Sequence, residues 1–190
     1  MRKLILVVHT SLDGFVAGPK GELDGFNAAE ENLHFVCQLT EGADTALFGR
    51  ISYELLNSHW PTAKDRPNAT KGMIDYSNWY NDAKKIVVST TMKDQGLNNT
   101  VVISQDISNE IIKLKEQAGK NILIFGSPAL AQTLMQHDLI DSYWIFINPI
   151  IFGEGIALFT GVRNKSKLTL LATKHFANGE LALNYNVDRK

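Results

Sequence analysis

The chain has 190 residues, 44% of them hydrophobic, 21% charged and only 5 proline, which is typical of a globular protein and excludes a disordered or repetitive one. Lysine and arginine number 19 against 20 acidic residues, so the sequence predicts neither a nucleic-acid nor a membrane partner. We expect one domain over 1–190, and a cytoplasmic location because the apolar run Leu4–Val8 is too short for an export signal or a membrane span.

The first predicted strand covers Arg2–Val8 and is followed by a loop from Thr10 to Pro19. This loop contains the turn signal Asp13-Gly14 but continues through apolar residues, which a loop packed over a cleft would bury. A helix over 27–40 comes next, with glutamates near its amino end, where the helix dipole favours them.

A second strand over 43–48 stops at Gly49-Arg50-Ile51-Ser52, where the next helix begins. An arginine in a first helical turn opposes the helix dipole, which indicates a phosphate partner for Arg50. Residues 57–71 are polar and irregular, with two X-Pro steps, and they predict a mobile lid. Trp60 in this segment either stacks on an aromatic substrate or packs under the lid.

The middle of the chain keeps alternating between helices and strands. It has a helix over 74–83, strands over 85–91 and 100–104, and a helix over 107–118. Asp106 stands where it would cap the last of these helices. The strand over 85–91 ends in three hydroxyl side chains, those of Ser89, Thr90 and Thr91.

The stretch Asn121–Leu130 carries the strongest signal for a binding site. Ile122–Phe125 is typical of a strand buried on both faces. Gly126 permits a tight turn, Ser127 is placed to cap a helix, and Pro128 suits a first helical position. Such a helix start favours an anion such as phosphate, although these residues are also common in turns that bind nothing.

The last third of the chain predicts a strand over 143–147, a segment over 150–159 with the flexible Gly153-Glu154-Gly155, and two antiparallel strands over 168–173 and 181–187. Together the elements predict an α/β fold. Its mostly parallel central sheet has about eight strands, with flanking helices and an antiparallel C-terminal hairpin.

Three predicted strand ends carry groups that bind phosphate: Gly49–Ser52, Ser89–Thr91 and Gly126–Ser127. In a parallel sheet these ends lie along one edge, where ligands of open α/β folds bind. The sequence lacks both G-x-G-x-x-G after the first strand and the P-loop pattern, so neither of those two nucleotide motifs accounts for the site.

Six motifs in this order carry a family resemblance. They are Ser11-Leu12-Asp13-Gly14, Phe48-Gly49-Arg50, Val88-Ser89-Thr90, Ile124-Phe125-Gly126-Ser127, Ile147-Asn148-Pro149 and Gly153-Glu154-Gly155. The chain resembles the dihydrofolate reductase-like fold and, more closely, the reductase domain of bacterial riboflavin biosynthesis (the RibD C-terminal domain) and its stand-alone relatives. The resemblance implies an NADPH-dependent reductase that transfers a hydride to a small pteridine- or pyrimidine-like substrate.

The resemblance also implies where the cofactor binds. Gly49, Arg50 and Ser52 would hold its phosphates, and Ser89 and Thr90 its 2′-phosphate end. The pyrophosphate and nicotinamide would lie against Gly126, Ser127, Ala129 and Leu130, with Ala17 and the loop around it closing over the nicotinamide. The residues implied on the substrate side are Thr10, His34, Phe35 and Trp60.

Two acidic residues are candidates for a catalytic role. Asp13, in the loop after the first strand, is either a proton donor or a turn residue bonded to its own backbone. Glu154, between two glycines, is either a charge on a lid or a solvated loop residue. The five histidines show no metal-binding spacing, so we expect no metal site.

A rival interpretation is a non-catalytic nucleotide-binding or assembly module that keeps the reductase fold. The hydrophobic C-terminal hairpin is also consistent with a homodimer surface.

Overall fold

Apolar and β-branched runs form the strands of a computed structural model that describes residues 1–26, 29–93, 96–161 and 165–189. The strands are β1 (Leu4–Thr10), β2 (Phe15–Ala17), β3 (Ala43–Gly49), β4 (Lys84–Val88), β5 (Thr100–Ile103), β6 (Asn121–Phe125), β7 (Ser142–Ile147), β8 (Ile156–Ala157), β9 (Leu168–His175) and β10 (Leu181–Val187). The helices are α1 (Glu30–Glu41), α2 (Arg50–Asn57), α3 (Lys71–Asp82), α4 (Ile107–Glu116) and α5 (Pro128–Gln136), with a 3-10 helix at Trp60–Asp65.

Within the described ranges, the main sheet has eight strands in the order β5-β4-β3-β6-β1-β7-β10-β9. The first six strands in this order, β5 to β7, are parallel to one another, and β10 pairs antiparallel with both β7 and β9. The predicted α/β fold, with its mostly parallel sheet and antiparallel C-terminal hairpin, is confirmed. A separate antiparallel pair joins β2 to β8.

Side chains of the central strands alternate between two hydrophobic clusters, one on each face of the sheet. Leu6 of β1 packs with Leu134 of α5 on one face. Val7 lies on the other face, with Val36 of α1 and Tyr80 of α3. The β1 strand is therefore buried on both sides. None of the helices in the described parts of the chain is long and apolar enough to cross a membrane.

The segment predicted to be a lid is instead packed against α3. Its 3-10 helix buries Ala63 completely, and the Trp60 ring lies 4.3 Å from the Tyr76 ring, measured between centroids. The Ser77 hydroxyl donates to the Trp60 carbonyl at 2.7 Å. The Trp60 ring therefore packs against α3 and is partly buried there, and its contact with a substrate stays a prediction.

Two predicted helix caps are wrong in the same way. Asp106 and Ser127 occupy the N-cap positions of α4 and α5, but neither side chain accepts a hydrogen bond from a backbone N–H of its own helix. Both have left-handed backbones, with φ of 49° and 51°, whereas a capping side chain normally stands on an extended residue. The Asp106 carboxylate accepts from Asn109 Nδ2 at 2.9 Å instead.

Candidate active site

The carboxyl ends of β4, β3 and β6 lie side by side, because these parallel strands are neighbours in the sheet. The Gly49 N–H, at the end of β3, donates to Ser127 Oγ at 2.9 Å. The Ser127 N–H donates in turn to Ser52 Oγ at 3.2 Å. The turn after β6 and the first turn of α2 are therefore joined, as expected for Gly49, Ser52, Gly126 and Ser127.

The turn between β6 and α5 has an unusual backbone. Gly126 and Ser127 both have positive φ, 56° and 51°. Among the described residues, the nearest atom to a Cβ built on Gly126 is Ser52 Oγ at 3.9 Å, so the space over this glycine is open. The N–H groups of Ala129 and Leu130 follow in the first turn of α5, where donors have no acceptor within the helix. An open turn with such donors suits a phosphate.

Arg50 lies on the surface of the first turn of α2. Its Nη1 is 3.0 Å from Glu54 Oε1, and 44% of its side chain is exposed. An exposed i,i+4 ion pair of this kind contributes little stability. The guanidinium is consequently available to exchange its carboxylate partner for a phosphate.

The three hydroxyl residues after β4 have different environments. Ser89 is buried, and its Oγ accepts from the Met92 N–H at 2.9 Å and the Thr91 N–H at 3.2 Å. Thr90 and Thr91 are exposed. Ser89 therefore shapes the loop, and the two threonines are the accessible residues at this strand end.

The loop after β1 is attached to the segment after β7. The Leu12 N–H donates to the Ile150 carbonyl at 2.8 Å, and the Leu158 N–H to the Gly14 carbonyl at 3.0 Å. Ala17 is buried in β2, and a Cβ on Gly155 would lie 2.4 Å from its carbonyl oxygen. This close approach requires glycine at 155. The loop is thus held beside the strand ends. The sequence predicts a loop packed over a cleft.

Asp13 fastens the same loop. Its carboxylate accepts from the Gly153 N–H at 2.8 Å and from the Phe152 N–H at 3.1 Å. Hydrogen bonding from the Ser11 hydroxyl, with these backbone N–H groups, holds the pKa of Asp13 below its usual value. A carboxylate that stays ionised is better suited to holding two loops together than to donating a proton. Glu154 is exposed and borders a cavity of about 260 Å³ between the two loops.

The residues expected on the substrate side do not share one environment. Thr10 is buried at the end of β1, where its carbonyl accepts from the Asn148 N–H at 2.8 Å. Phe35 packs inside an aromatic cluster, with its ring centroid 5.1 Å from that of Trp144. His34 is exposed on α1, and Trp60 packs on α3.

A polar network that sequence reasoning missed lies beside Thr10. The Glu180 carboxylate contacts His9 Nδ1 at 2.6 Å and accepts from Asn148 Nδ2 at 3.1 Å and from Asn32 Nδ2. The Glu180 side chain is completely buried. The one local signal was His9 itself, a polar residue in the otherwise apolar strand LILVVHT. Glu180 follows the turn of a hairpin and gave no such signal.

A larger cavity, of about 460 Å³, lies at the opposite edge of the sheet. It is lined by charged residues that are paired with one another. Lys115 Nζ is 2.7 Å from Asp141 Oδ2, and Arg189 also contacts Asp141. In the described residues, no group of three or more histidine, cysteine or acidic side chains is placed to hold a metal ion.

Comparisons with known proteins connect this geometry to a family. The model of the RibD C-terminal domain matches residues 2–182. YyaP, an uncharacterized protein of Bacillus subtilis (strain 168), is 31% identical over 185 residues, which cover 97% of this chain and 95% of YyaP.

Two solved structures share the fold. A candidate riboflavin biosynthesis protein from Shewanella sp. PV-4 superposes with a TM-score of 0.75 at 23% identity, over 98% of this chain and 99% of that one. Dihydrofolate reductase from Enterococcus faecalis, complexed with NADP(H) and RAB-propyl, superposes with a TM-score of 0.65 at 16% identity, over 98% and 97%. The fold is therefore dihydrofolate reductase-like.

Proposed function

The chain belongs to the RibD C-terminal domain family, and we propose on that premise that it is an NADPH-dependent reductase of a small heteroaromatic substrate. The observation that carries the proposal is the joined turn at the strand ends, where Gly49 donates to Ser127 and Ser127 donates to Ser52. Two helices begin at this joint, so their dipoles and first-turn N–H groups favour an anion at the same place.

The residues present fit a dinucleotide. Gly126 leaves open space for a close approach to its backbone, and the first turn of α5 offers N–H donors to a pyrophosphate. Arg50 and Thr90 are exposed near the two neighbouring strand ends and would bind further phosphate oxygens. NADPH bound here would supply the hydride. The chain itself would position the cofactor and exclude water under the loop that contains Ala17.

Titration of NADPH, followed by its fluorescence, tests the binding site. We expect saturable binding that Arg50→Ala weakens roughly tenfold or more, because a charge-assisted hydrogen bond to phosphate is lost. Arg66→Ala is the matched control, since Arg66 is an exposed arginine whose side chain contacts His59 rather than the strand ends. Absence of saturable binding, or equal weakening by both variants, contradicts the site. The same titration with NADH tests the cofactor preference.

A turnover screen separates an enzyme from a non-catalytic nucleotide-binding or assembly module. NADPH oxidation is followed with 7,8-dihydropterin, with aminopyrimidines and with quinones as acceptors. The proposed function predicts oxidation above the rate without acceptor for at least one compound. Tight NADPH binding without any such oxidation favours the non-catalytic module.

We also propose that the protein works as a cytoplasmic homodimer. Leucines 168, 170 and 171 are 40%, 49% and 55% exposed on β9, which lies at an edge of the sheet. Exposed leucines on an edge strand are favourable for contact with a second chain. Light scattering coupled to size exclusion would show a dimer that Leu170→Lys dissociates. A monomeric wild type contradicts this part of the proposal.

A further inference from the structure

Glu180 is an acidic residue placed where water does not reach its side chain. Its side chain has no exposed surface, yet its carboxylate receives hydrogen bonds from Asn32 and Asn148 in addition to the contact with His9. Burial of a carboxylate is costly unless such donors compensate for the lost hydration. The donors come from α1, the end of β7 and β1, so three separate elements converge to hold this one charge.

His9 connects the buried carboxylate to the surface. Its Nδ1 lies 2.6 Å from Glu180 Oε1, whereas 33% of the side chain is exposed. Because Glu180 already accepts hydrogen bonds from two amides, an Nδ1–H that donates to Oε1 would complete its set of donors and fix the His9 tautomer. The ring is stacked on Phe146 with centroids 4.6 Å apart. Its orientation is therefore set by two contacts, and Nε2 has no hydrogen-bond partner among the residues that the structure describes.

The position of His9 along β1 places it next to the proposed cofactor site. Val7 is in register with Phe125, the last residue of β6, and the Gly126 N–H donates to the Val7 carbonyl at 3.1 Å. The β1–β6 register ends at this pair, and His9 lies two residues further along β1, on the side of the Gly126–Ser127 turn. Phe26, from the segment between β2 and α1, has its ring centroid 6.4 Å from that of His9.

Three acidic side chains around this end of the sheet have other partners, whereas Glu154 is exposed in a loop. Glu31 of α1 pairs with Lys174 at 2.9 Å, and Glu30 accepts from Thr70 at 2.7 Å. Asp13 is bound to the backbone of residues 152 and 153. His9 is distinguished from these three by its combination of a fixed ring and an exposed edge at the strand ends.

We propose that His9 is the catalytic proton donor of this reductase and that Glu180 is the residue that positions it; the inference rests on the proposed function. Reduction of a C=N bond adds a hydride to carbon and leaves nitrogen with an electron pair that takes up one proton. The proton leaves His9 Nε2 as the new N–H bond forms, while NADPH is oxidised to NADP⁺. Neutral His9 keeps its Nδ1–H toward Glu180 and regains a proton from water.

His9→Gln tests the donor directly. NADPH oxidation is measured with 7,8-dihydropterin, which offers a C=N bond, or with the compound of the screen that the wild type reduces fastest. We expect kcat to fall about 100-fold, in the range typical of a lost general acid, with an unchanged Kd for NADPH by fluorescence. His137→Gln is the matched control, because His137 is exposed at the far end of α5. An active wild type with an unchanged kcat in His9→Gln overturns the inference while leaving the proposed function intact.

Glu180→Gln tests the positioning role by a readout independent of turnover. In ¹⁵N-histidine NMR spectra of the wild type without ligands, His9 should show a protonated Nδ1, and Glu180→Gln should release this fixed tautomer. The same variant should lower kcat without changing KM. Unfolding curves establish that each variant is folded, and Asn148→Ala, which removes one donor to Glu180, provides a milder second test. If Nδ1 of His9 carries no hydrogen in the wild type, the proposed positioning of His9 by Glu180 is wrong. A wild type that oxidises no NADPH overturns the proposed function and, with it, this inference.

Discussion

The parallel strands begin at one border of the sheet, the amino edge, and end at the opposite border, the carboxyl edge. These two edges use polar residues in opposite ways. At the amino edge, charges are dense and satisfy one another: Arg2 contacts Asp44, and Asp141 is shared between Lys115 and Arg189. At the carboxyl edge, hydroxyls, glycines and helix starts lie among the charged residues. The larger of the two cavities is at the amino edge. Cavity size therefore does not coincide with the proposed binding site in this chain.

The difference lies in whether polar groups have their partners within the chain. Asp141 accepts from the Leu4 N–H at 2.7 Å and pairs with Lys115, whose side chain is 5% exposed. Burial alone would raise the pKa of Asp141, but these bonds outweigh it and hold that pKa below its usual value. Such groups stabilise the fold. At the other edge, the first turns of α2 and α5 keep donors for a ligand.

Asp141→Asn would give the largest effect on stability. It leaves the Lys115 ammonium buried with a weaker partner, so we expect a loss of about 3–5 kcal/mol in the free energy of unfolding. Urea denaturation measures it. NADPH affinity should not change, since the site is at the opposite edge. The control Asp75→Asn breaks an exposed pair with Lys71 and should cost below about 1 kcal/mol. A weakened NADPH affinity in folded Asp141→Asn would remove the functional distinction between the edges.

The same aspartate should make the stability of the fold depend on pH in the acid range. Because the pKa of Asp141 is lower in the folded chain than in the unfolded one, its contribution is present above the unfolded value and is lost as pH falls through the folded value. The wild type should therefore lose stability below about pH 4, where unfolded aspartates titrate. Denaturant midpoints measured between neutral pH and the acid limit should fall less steeply in Asp141→Asn. Parallel curves for the two proteins would contradict this assignment.

Ser52→Ala should have a smaller effect on stability and a specific one on binding. It removes the acceptor of the Ser127 N–H, and we expect a cost of about 1 kcal/mol with a weaker affinity for NADPH. The control is Ser58→Ala, at the other end of α2, where the hydroxyl is exposed and donates to the Leu55 carbonyl. Fluorescence titration and urea curves compare the two. Equal NADPH affinities would show that the joined turn does not contribute to cofactor binding.

Asp13→Asn should have the smallest effect on the chemical step. If Asp13 only holds the loop to residues 152 and 153, the amide of asparagine still accepts hydrogen bonds through its oxygen. We then expect kcat to fall by much less than the roughly 100-fold loss typical of a missing general acid. Steady-state kinetics beside His9→Gln compares the two candidate donors under one set of conditions. A larger loss for Asp13→Asn than for His9→Gln would assign the proton to the loop.

Local sequence patterns predicted that the turns of the proposed cofactor site lie together. Gly49, Ser52, Gly126 and Ser127 were identifiable because a strand, a glycine and a helix start are contiguous in sequence, and parallel topology then brings them together. The capping role of Ser127 was predicted wrongly. Its left-handed backbone directs the hydroxyl to Gly49, and this orientation depends on the neighbouring strand rather than on local sequence.

The proposed proton pair was not predictable in this way. His9 and Glu180 are separated by 171 residues, and neither flanking sequence indicates the other. The segment predicted as a lid differs from the structure for a related reason. Its polar composition gives no sign that Ala63 is completely buried or that Trp60 packs on Tyr76 of α3. Composition indicates exposure on average, whereas individual contacts depend on the tertiary partner.

The strand order also bears on how the protein is made. Among the strands of this sheet β1 is synthesised first, but both of its neighbours, β6 and β7, lie beyond residue 120. At about 5–20 residues per second, synthesis takes on the order of 10–30 s to proceed from His9 to Glu180. The carboxyl-terminal hairpin thus supplies the last strands of the sheet and the partner of His9 together. A nascent chain halted before residue 180 would already contain every predicted cofactor residue but lack the proposed proton pair.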